Sequence, residues 1–269
     1  MGTKVHTEHV STEELPEPIY HEQDFTISEL AFVTELGVGR GLGLEALVPL
    51  RWVRTEIRFE DLDHRPIDVP GGSIHHRNET LSGSGDPWLL LHGARRAGAW
   101  TMAARAGVSV PLGRTEPNPF ELGRQGLPHE HIQFGTGTWD PIVGVAAGRR
   151  FGQTGLVLDS FARFVVATNG YGYRSGDRFF VRAAADHRIA GGWRGVAGLE
   201  MLREEAETWD GRLETEGNLG RTDLLASFGI VRGLGRAGGA HLTVRIPLLT
   251  RATGTQVRYP VIVALGFSH

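Results

Sequence analysis

Histidine and arginine carry most of the chemistry this sequence could perform. His75 and His76 are adjacent, His129 and His131 flank a glutamate, and His6-x-x-His9 with Glu8 forms a third group near the amino terminus. Neutral imidazole binds divalent metals, so two histidine pairs on neighbouring loops could supply four ligands. Spacings of one or two residues lack the helix-spaced geometry of a strong zinc motif, however, and such histidines equally serve as solvated loop side chains. The expectation is no cofactor and no resident metal, with His75, His76, His129 and His131 the candidates if one binds. There is no cysteine, which removes disulfides, thiolate metal sites and cysteine nucleophiles together. Gly-x-Ser-x-Gly, His-Glu-x-x-His and the phosphate-binding Gly-x-x-x-x-Gly-Lys do not occur, so no catalytic residue is assigned and an enzyme is not expected. His187 and His241 could in principle serve a barrel lipid hydrolase, but His241 falls on the polar face and no matching serine is evident.

The charged residues are regularly placed. Asp159 and Arg163, then Arg178, Arg182 and Asp186, then Arg194 and Glu200 recur at even spacings, with Arg105, Asp140, Arg245 and Arg258 in similar positions elsewhere. Such rows need an element of period two to hold them, and the apolar residues supply it. Trp100, Met102, Ala104, Ala106, Val108, Val110 and Leu112 share one parity across 99–112. The same alternation returns at Leu156, Leu158, Ala162, Phe164 and Val166, at Phe179, Val181, Ala183 and Ala185, and at Leu242, Val244, Ile246 and Leu248. It closes the chain at Tyr259, Val261, Val263, Leu265 and Phe267. A helix would place apolar residues three and four apart, so this is a strand pattern with one greasy and one charged face. The Glu-rich stretch 199–213 reads as a strand end entering a charged loop.

Eleven strands follow, at about 25–38, 41–58, 86–95, 98–112, 138–149, 155–167, 177–189, 192–203, 222–232, 240–250 and 255–269. Connections alternate between short, glycine-marked turns and longer polar loops, the meander of an outer-membrane barrel. Bacterial single-chain barrels have even strand numbers, and 4–12 is the one remaining candidate, so twelve strands are expected. The fold class is thus an all-β, antiparallel up-and-down transmembrane β-barrel spanning 1–269 as one domain, with 1–24 an amino-terminal short strand and loop.

Composition agrees. The 269 residues are 40% hydrophobic, which excludes disorder, and 38 glycines suit many tight turns. A net charge of -3 lends no support to nucleic-acid binding. No run approaches the roughly 18 apolar residues of a membrane helix, a test that is silent about membrane strands. The first 24 residues are too polar for a secretory leader, which predicts a start at or near a mature amino terminus with Met1 added.

The hairpin Ser28-Glu-Leu-Ala-Phe-Val-Thr-Glu-Leu-Gly-Val-Gly-Arg-Gly-Leu-Gly-Leu-Glu-Ala-Leu-Val-Pro-Leu50 resembles the first long hairpin of the outer-membrane barrel proteins of the meta-pathway phenol-degradation and transporter family. Gly83-Ser-Gly-Asp-Pro-Trp-Leu-Leu-Leu-His92, Val108-Ser-Val-Pro-Leu-Gly113 and Gly135-Thr-Gly-Thr-Trp-Asp-Pro141 follow in the order of that family. One departure is His269, where barrels usually end on an aromatic residue. The resemblance implies a Gram-negative outer-membrane channel or transporter for small hydrophobic or aromatic solutes, partnered by membrane lipid, solute and the outer-membrane assembly machinery. Arg105, Asp140, Asp159, Arg163, Arg178, Arg182, Asp186, Arg194, Glu200, Arg245 and Arg258 would then face the lumen. Their charges would line a water path, where an arginine excess favours anionic or polarisable aromatic solutes, or pair into a plug. The alternatives are a barrel lipid hydrolase, or a closed structural barrel whose outer loops bind a partner or metal.

Overall fold

A computed structural model describes residues 1–11, 15–70, 73–74, 76–235, 238–254 and 257–268. Alternating sequence becomes long antiparallel strands: β1 (Gly2–Ser11), β2 (Ile19–Gly39), β3 (Leu42–Glu60), β4 (Glu79–Ser84), β5 (Trp88–Ala97), β6 (Trp100–Ser109), β7 (Asp140–Phe151) and β8 (Thr154–Arg163). There follow β9 (Tyr173–Arg174), β10 (Arg178–Arg188), β11 (Trp193–Glu204), β12 (Thr208–Trp209), β13 (Asn218–Gly233), β14 (Gly239–Gly254) and β15 (Ile262–Ser268). Among the described residues one short helix, α1 (Pro119–Arg124), interrupts the longest loop.

Each wall strand pairs with its neighbours in chain order, and β2 pairs with both β1 and β3, so the sheet returns on itself. β4 and β5 share one place in the wall, both pairing with β3, and are separated by Gly85, Asp86 and Pro87. Pro87 cannot donate to the ladder, and the break leaves Asp86 buried. β9 and β12 pair only with each other. The result is a closed antiparallel barrel of twelve strands. β1 and β15 close it at Gly2↔Val263, next to a hydrogen bond from Thr3 Oγ1 to Val261 O of 2.6 Å.

All the tight turns fall at one end. The β2–β3 turn places Arg40 and Gly41 at positive φ (55° and 76°), the conformation whose twist matches that of the paired strands. The long loops gather at the other end, here called the outer end.

Parity decides the two faces. Leu30, Phe32, Leu44, Leu89, Leu91, Met102, Val145, Leu158, Leu199, Phe228, Leu248 and Leu265 are all exposed and point outward, an apolar belt of the kind that outer-membrane barrels carry. Above it the outward positions change character: Lys4, His6, Glu8, Arg54, Glu56 and Arg58 occupy β1 and the upper half of β3. The β1–β3 wall therefore stands clear of the belt at the outer end.

Several boundaries depart from expectation: β2 begins at Ile19 rather than 25, so 19–24 belong to the wall and not to a loop, and β6 ends at Ser109 rather than 112. The last strand begins at Ile262 rather than 255, because Pro260 cannot join the ladder. Tyr259 is consequently half-buried under the Arg221 guanidinium, 4.6 Å from its ring centre, instead of facing outward. β8 ends at Arg163 rather than 167, so Phe164 lies beyond it, against Phe179. As expected, the Glu-rich stretch after Leu199 is a strand end, reaching Glu204, that runs into a loop. α1 was not legible as a helix. Asn118 caps it by accepting from the Phe120 and Glu121 N–H groups, and Pro119 opens its first turn.

Candidate functional site

Inward-facing side chains form a girdle of ion pairs along the wall. Asp159, Arg182 and Glu200 stand directly opposite one another on β8, β10 and β11. Arg182 Nε donates to Asp159 Oδ2 at 2.8 Å, and Arg245 Nε reaches past β13 to Glu200 Oε2 at 2.8 Å. Asp159 and Glu200 are buried, whereas the arginine heads remain partly exposed. Towards the turns, Asp186 accepts from Arg150 (2.8 Å), Arg194 (3.4 Å) and the Gly155 N–H (3.0 Å). Towards the outer end, Arg178 pairs with Glu204 (3.0 Å), and the buried Arg163 lies directly across from Arg178. Arg105 faces a cleft of about 130 Å³ with Glu35, Glu45 and His92.

These pairs join strands that are adjacent or one apart in the wall, so they tie it laterally and need not cross the lumen. The inward rows also hold residues that the sequence reading passed over: Glu29 with Arg51 (2.8 Å), Asp223 with Arg221 (2.7 Å), Glu35 with His92 (3.2 Å), and Glu45 and Glu204. Counting parity on β2, β3, β11 and β13 would have found the acidic ones. Their carboxylates offset much of the expected arginine excess. Arg258 is a correction: it is exposed and precedes β15, because the Tyr259 ring takes the inward position.

An aromatic strip lies among the charges. Trp88 on β5 meets Phe161 on β8 edge to face at 5.5 Å, and Phe161 stacks on Phe180 of β10 at 5.1 Å. β5 and β8 are not neighbours in the wall, so Trp88 and Phe161 touch through the lumen.

The outer mouth is organised by Asp86. Its carboxylate accepts from the Gly113 N–H (2.9 Å), the Thr136 N–H (2.6 Å) and Thr136 Oγ1 (2.8 Å). Thr136 Oγ1 is equally near Asp140 Oδ2, and Thr138 Oγ1 donates to Asp140 Oδ1 at 2.7 Å. The loop 110–139 is thereby folded into the mouth, where buried Phe134 packs on Val53 and Leu81. Above it, Trp209 is almost fully buried against Tyr173 and near Phe120. Burial raises the Glu207 carboxyl and the Tyr173 phenol above their ordinary values. Glu130, ion-paired with Arg77, is pushed up to about 7 by burial and by the neighbouring Glu79 carboxylate.

The expected gathering of loop histidines is redistributed. His75 lies outside the described residues. His129 and His131 contact each other at 5.0 Å, with His131 against Phe120. His76 packs instead on His9 and His21. His187 Nδ1 is 2.9 Å from Thr154 Oγ1, a threonine rather than a serine.

A closed meander with an apolar exterior and a charged, aromatic-striped interior defines a barrel of the outer-membrane type. A search of solved structures returns the crystal structure of an outer-membrane channel from Pseudomonas putida F1, similar over 98% of this chain and 90% of that one, with a TM-score of 0.59 and 12% identity. At that identity the likeness establishes the shared fold. No curated protein matches. The profile of the family described as "Putative MetA-pathway of phenol degradation" matches residues 16–231, and the chain belongs to that family.

Proposed function

We propose that this chain is an outer-membrane channel for small solutes, with hydrophobic and aromatic molecules its principal cargo. The observation that carries the reading is the pairing of a lipid-facing apolar belt with an interior whose ion pairs lie along the wall. Lateral pairs leave the axis for solute, whereas pairs spanning the lumen would obstruct it. The strip of Trp88, Phe161 and Phe180 gives an aromatic solute faces to stack on, and the half-exposed arginines add cation-π contacts. The family to which the chain belongs takes its name from phenol degradation, which supports that cargo. The channel title of the similar Pseudomonas structure supports conduction and an outer-membrane location.

A second reading, a barrel closed at the mouth, is favoured by Phe134 and its loop, which fill the outer end. Planar-bilayer recordings on the wild type and Asp86→Ala separate the two. A channel conducts in both forms and more strongly once the loop loses its anchor. A closed barrel is silent as wild type and opens only in the variant. Silence from both, with folding verified, would overturn the proposal. Uptake of phenol into proteoliposomes faster than that of a similarly sized sugar tests the cargo class.

A further inference from the structure

We propose that His9, His21 and His76 bind one divalent transition-metal ion of the zinc, copper, nickel or cobalt class, which ties the chain at His76 to strands β1 and β2 at the outer mouth. The three histidines are far apart in sequence and come from three elements. His9 and His21 are direct cross-strand partners, and their rings lie 4.8 Å apart. His76 arrives from the loop after β3, with its ring 4.6 Å from His21 and 5.3 Å from His9.

The nitrogen geometry fits an ion. One ring nitrogen from each histidine can be chosen so that all three lie within 4.8 Å of one another, and His21 Nδ1 is 3.0 Å from His76 Nδ1. Imidazoles bound tetrahedrally at about 2.0–2.1 Å hold their nitrogens roughly 3.3 Å apart. A hydrogen bond accounts for the His21–His76 approach alone. It does not account for the third imidazole turned towards them, and His9, being exposed, has the freedom to close the remaining distance.

The surroundings pre-position the ligands. His21 is fully buried with its ring against the edge of Phe59 at 5.1 Å, and the His76 N–H is held by Ser73 Oγ at 2.8 Å. Three neutral nitrogens select a borderline metal over calcium or magnesium, which take oxygen ligands. Two mixed clusters nearby, His6 with Glu8 and Glu22, and Glu22 with Glu60 and His64, compete poorly. They share Glu22, which already faces Arg58 at 3.3 Å. The site stands where the outward positions of β1 and β3 are charged, above the apolar belt, so an aqueous ion can reach it. The reading is independent of conduction.

Co2+ and Zn2+ titrations of the untagged, detergent-solubilised full chain test it. The expected result is one ion per chain, an intense visible d–d absorption with Co2+ that Zn2+ displaces, and Zn2+ protection of the chain at 76–78 from protease. His9→Ala and His76→Ala, at exposed and half-buried positions that spare the buried His21, should each weaken binding at least about 100-fold, since losing a mere outer-shell partner costs 10- to 100-fold. The double variant His129→Ala with His131→Ala should bind as wild type. Absence of stoichiometric binding, or binding that survives loss of His9 or His76, would overturn the site. So would binding lost only with His129 and His131.

Discussion

Replacing Arg182 by methionine removes the cation at the centre of the girdle while keeping most of its apolar stem. Arg182 donates to Asp159 at 2.8 Å and faces Glu200 across the ladder. Two unit charges about 4 Å apart attract by about 4 kcal/mol at an effective dielectric of 20, before desolvation is subtracted. Breaking a fully buried pair costs about 3–5 kcal/mol and an exposed pair about 0–1 kcal/mol. This pair is intermediate, because the Asp159 side chain is 9% exposed and that of Arg182 is 40% exposed. The expected loss is therefore about 2 kcal/mol, roughly 30-fold in the folding equilibrium. Urea unfolding in micelles, followed by tryptophan fluorescence, reads it, and a cycle with Asp159→Asn isolates the coupling. Removing the positive charge should also shift the reversal potential in a salt gradient towards cation preference. A loss below about 0.3 kcal/mol with an unchanged reversal potential would mean that the girdle is screened and off the solute path. A loss above about 4 kcal/mol, with no current from either protein, would mean a dry plug and refute conduction.

Leu158→Arg places a charge on the lipid face of β8 and should cost about 2–4 kcal/mol in a refolding titration into lipid; tolerance there would show the parity of that strand to be inverted. Gly107→Ala would bring a Cβ to 2.0 Å from the Leu89 carbonyl oxygen, so refolding yield should fall sharply, by about 3 kcal/mol or more, and a normal yield would refute the tight β5–β6 approach. Glu130 has a carboxyl raised to about 7, so its protonated form favours the folded loop. That contribution is fully present at acid pH, below the ordinary carboxyl range, and is lost as pH rises through about 7. Proteolysis of the loop 110–139 should accelerate over that interval, and Glu130→Gln should flatten the profile; an unchanged profile in the variant would assign the dependence elsewhere.

Period two is written residue by residue, and that is why the barrel could be read directly. Each strand presents one apolar and one polar face, so Leu156, Leu158, Val181, Leu199 and Met201 declare the wall without reference to any neighbour. Strand number followed from alternating connections and evenness, and parity alone marked which charges share the face opposite the apolar rows. Pairing decided the rest. Glu29, Glu35, Glu45 and Asp223 turned an arginine-rich interior into a more balanced one, and nothing local to an arginine states which carboxylate the adjacent strand sets beside it. Tyr259 and Arg258 exchanged faces because Pro260 ended the ladder and Arg221, 38 positions earlier, drew the ring inward. The loops were least legible. Asp86 binds Gly113 and Thr136, and His76 joins His9 and His21 rather than His129 and His131, because loop contacts depend on where the closed wall brings the ends of distant strands. Closure is a property of the whole sheet, and only the tertiary structure could settle which histidines meet at its mouth.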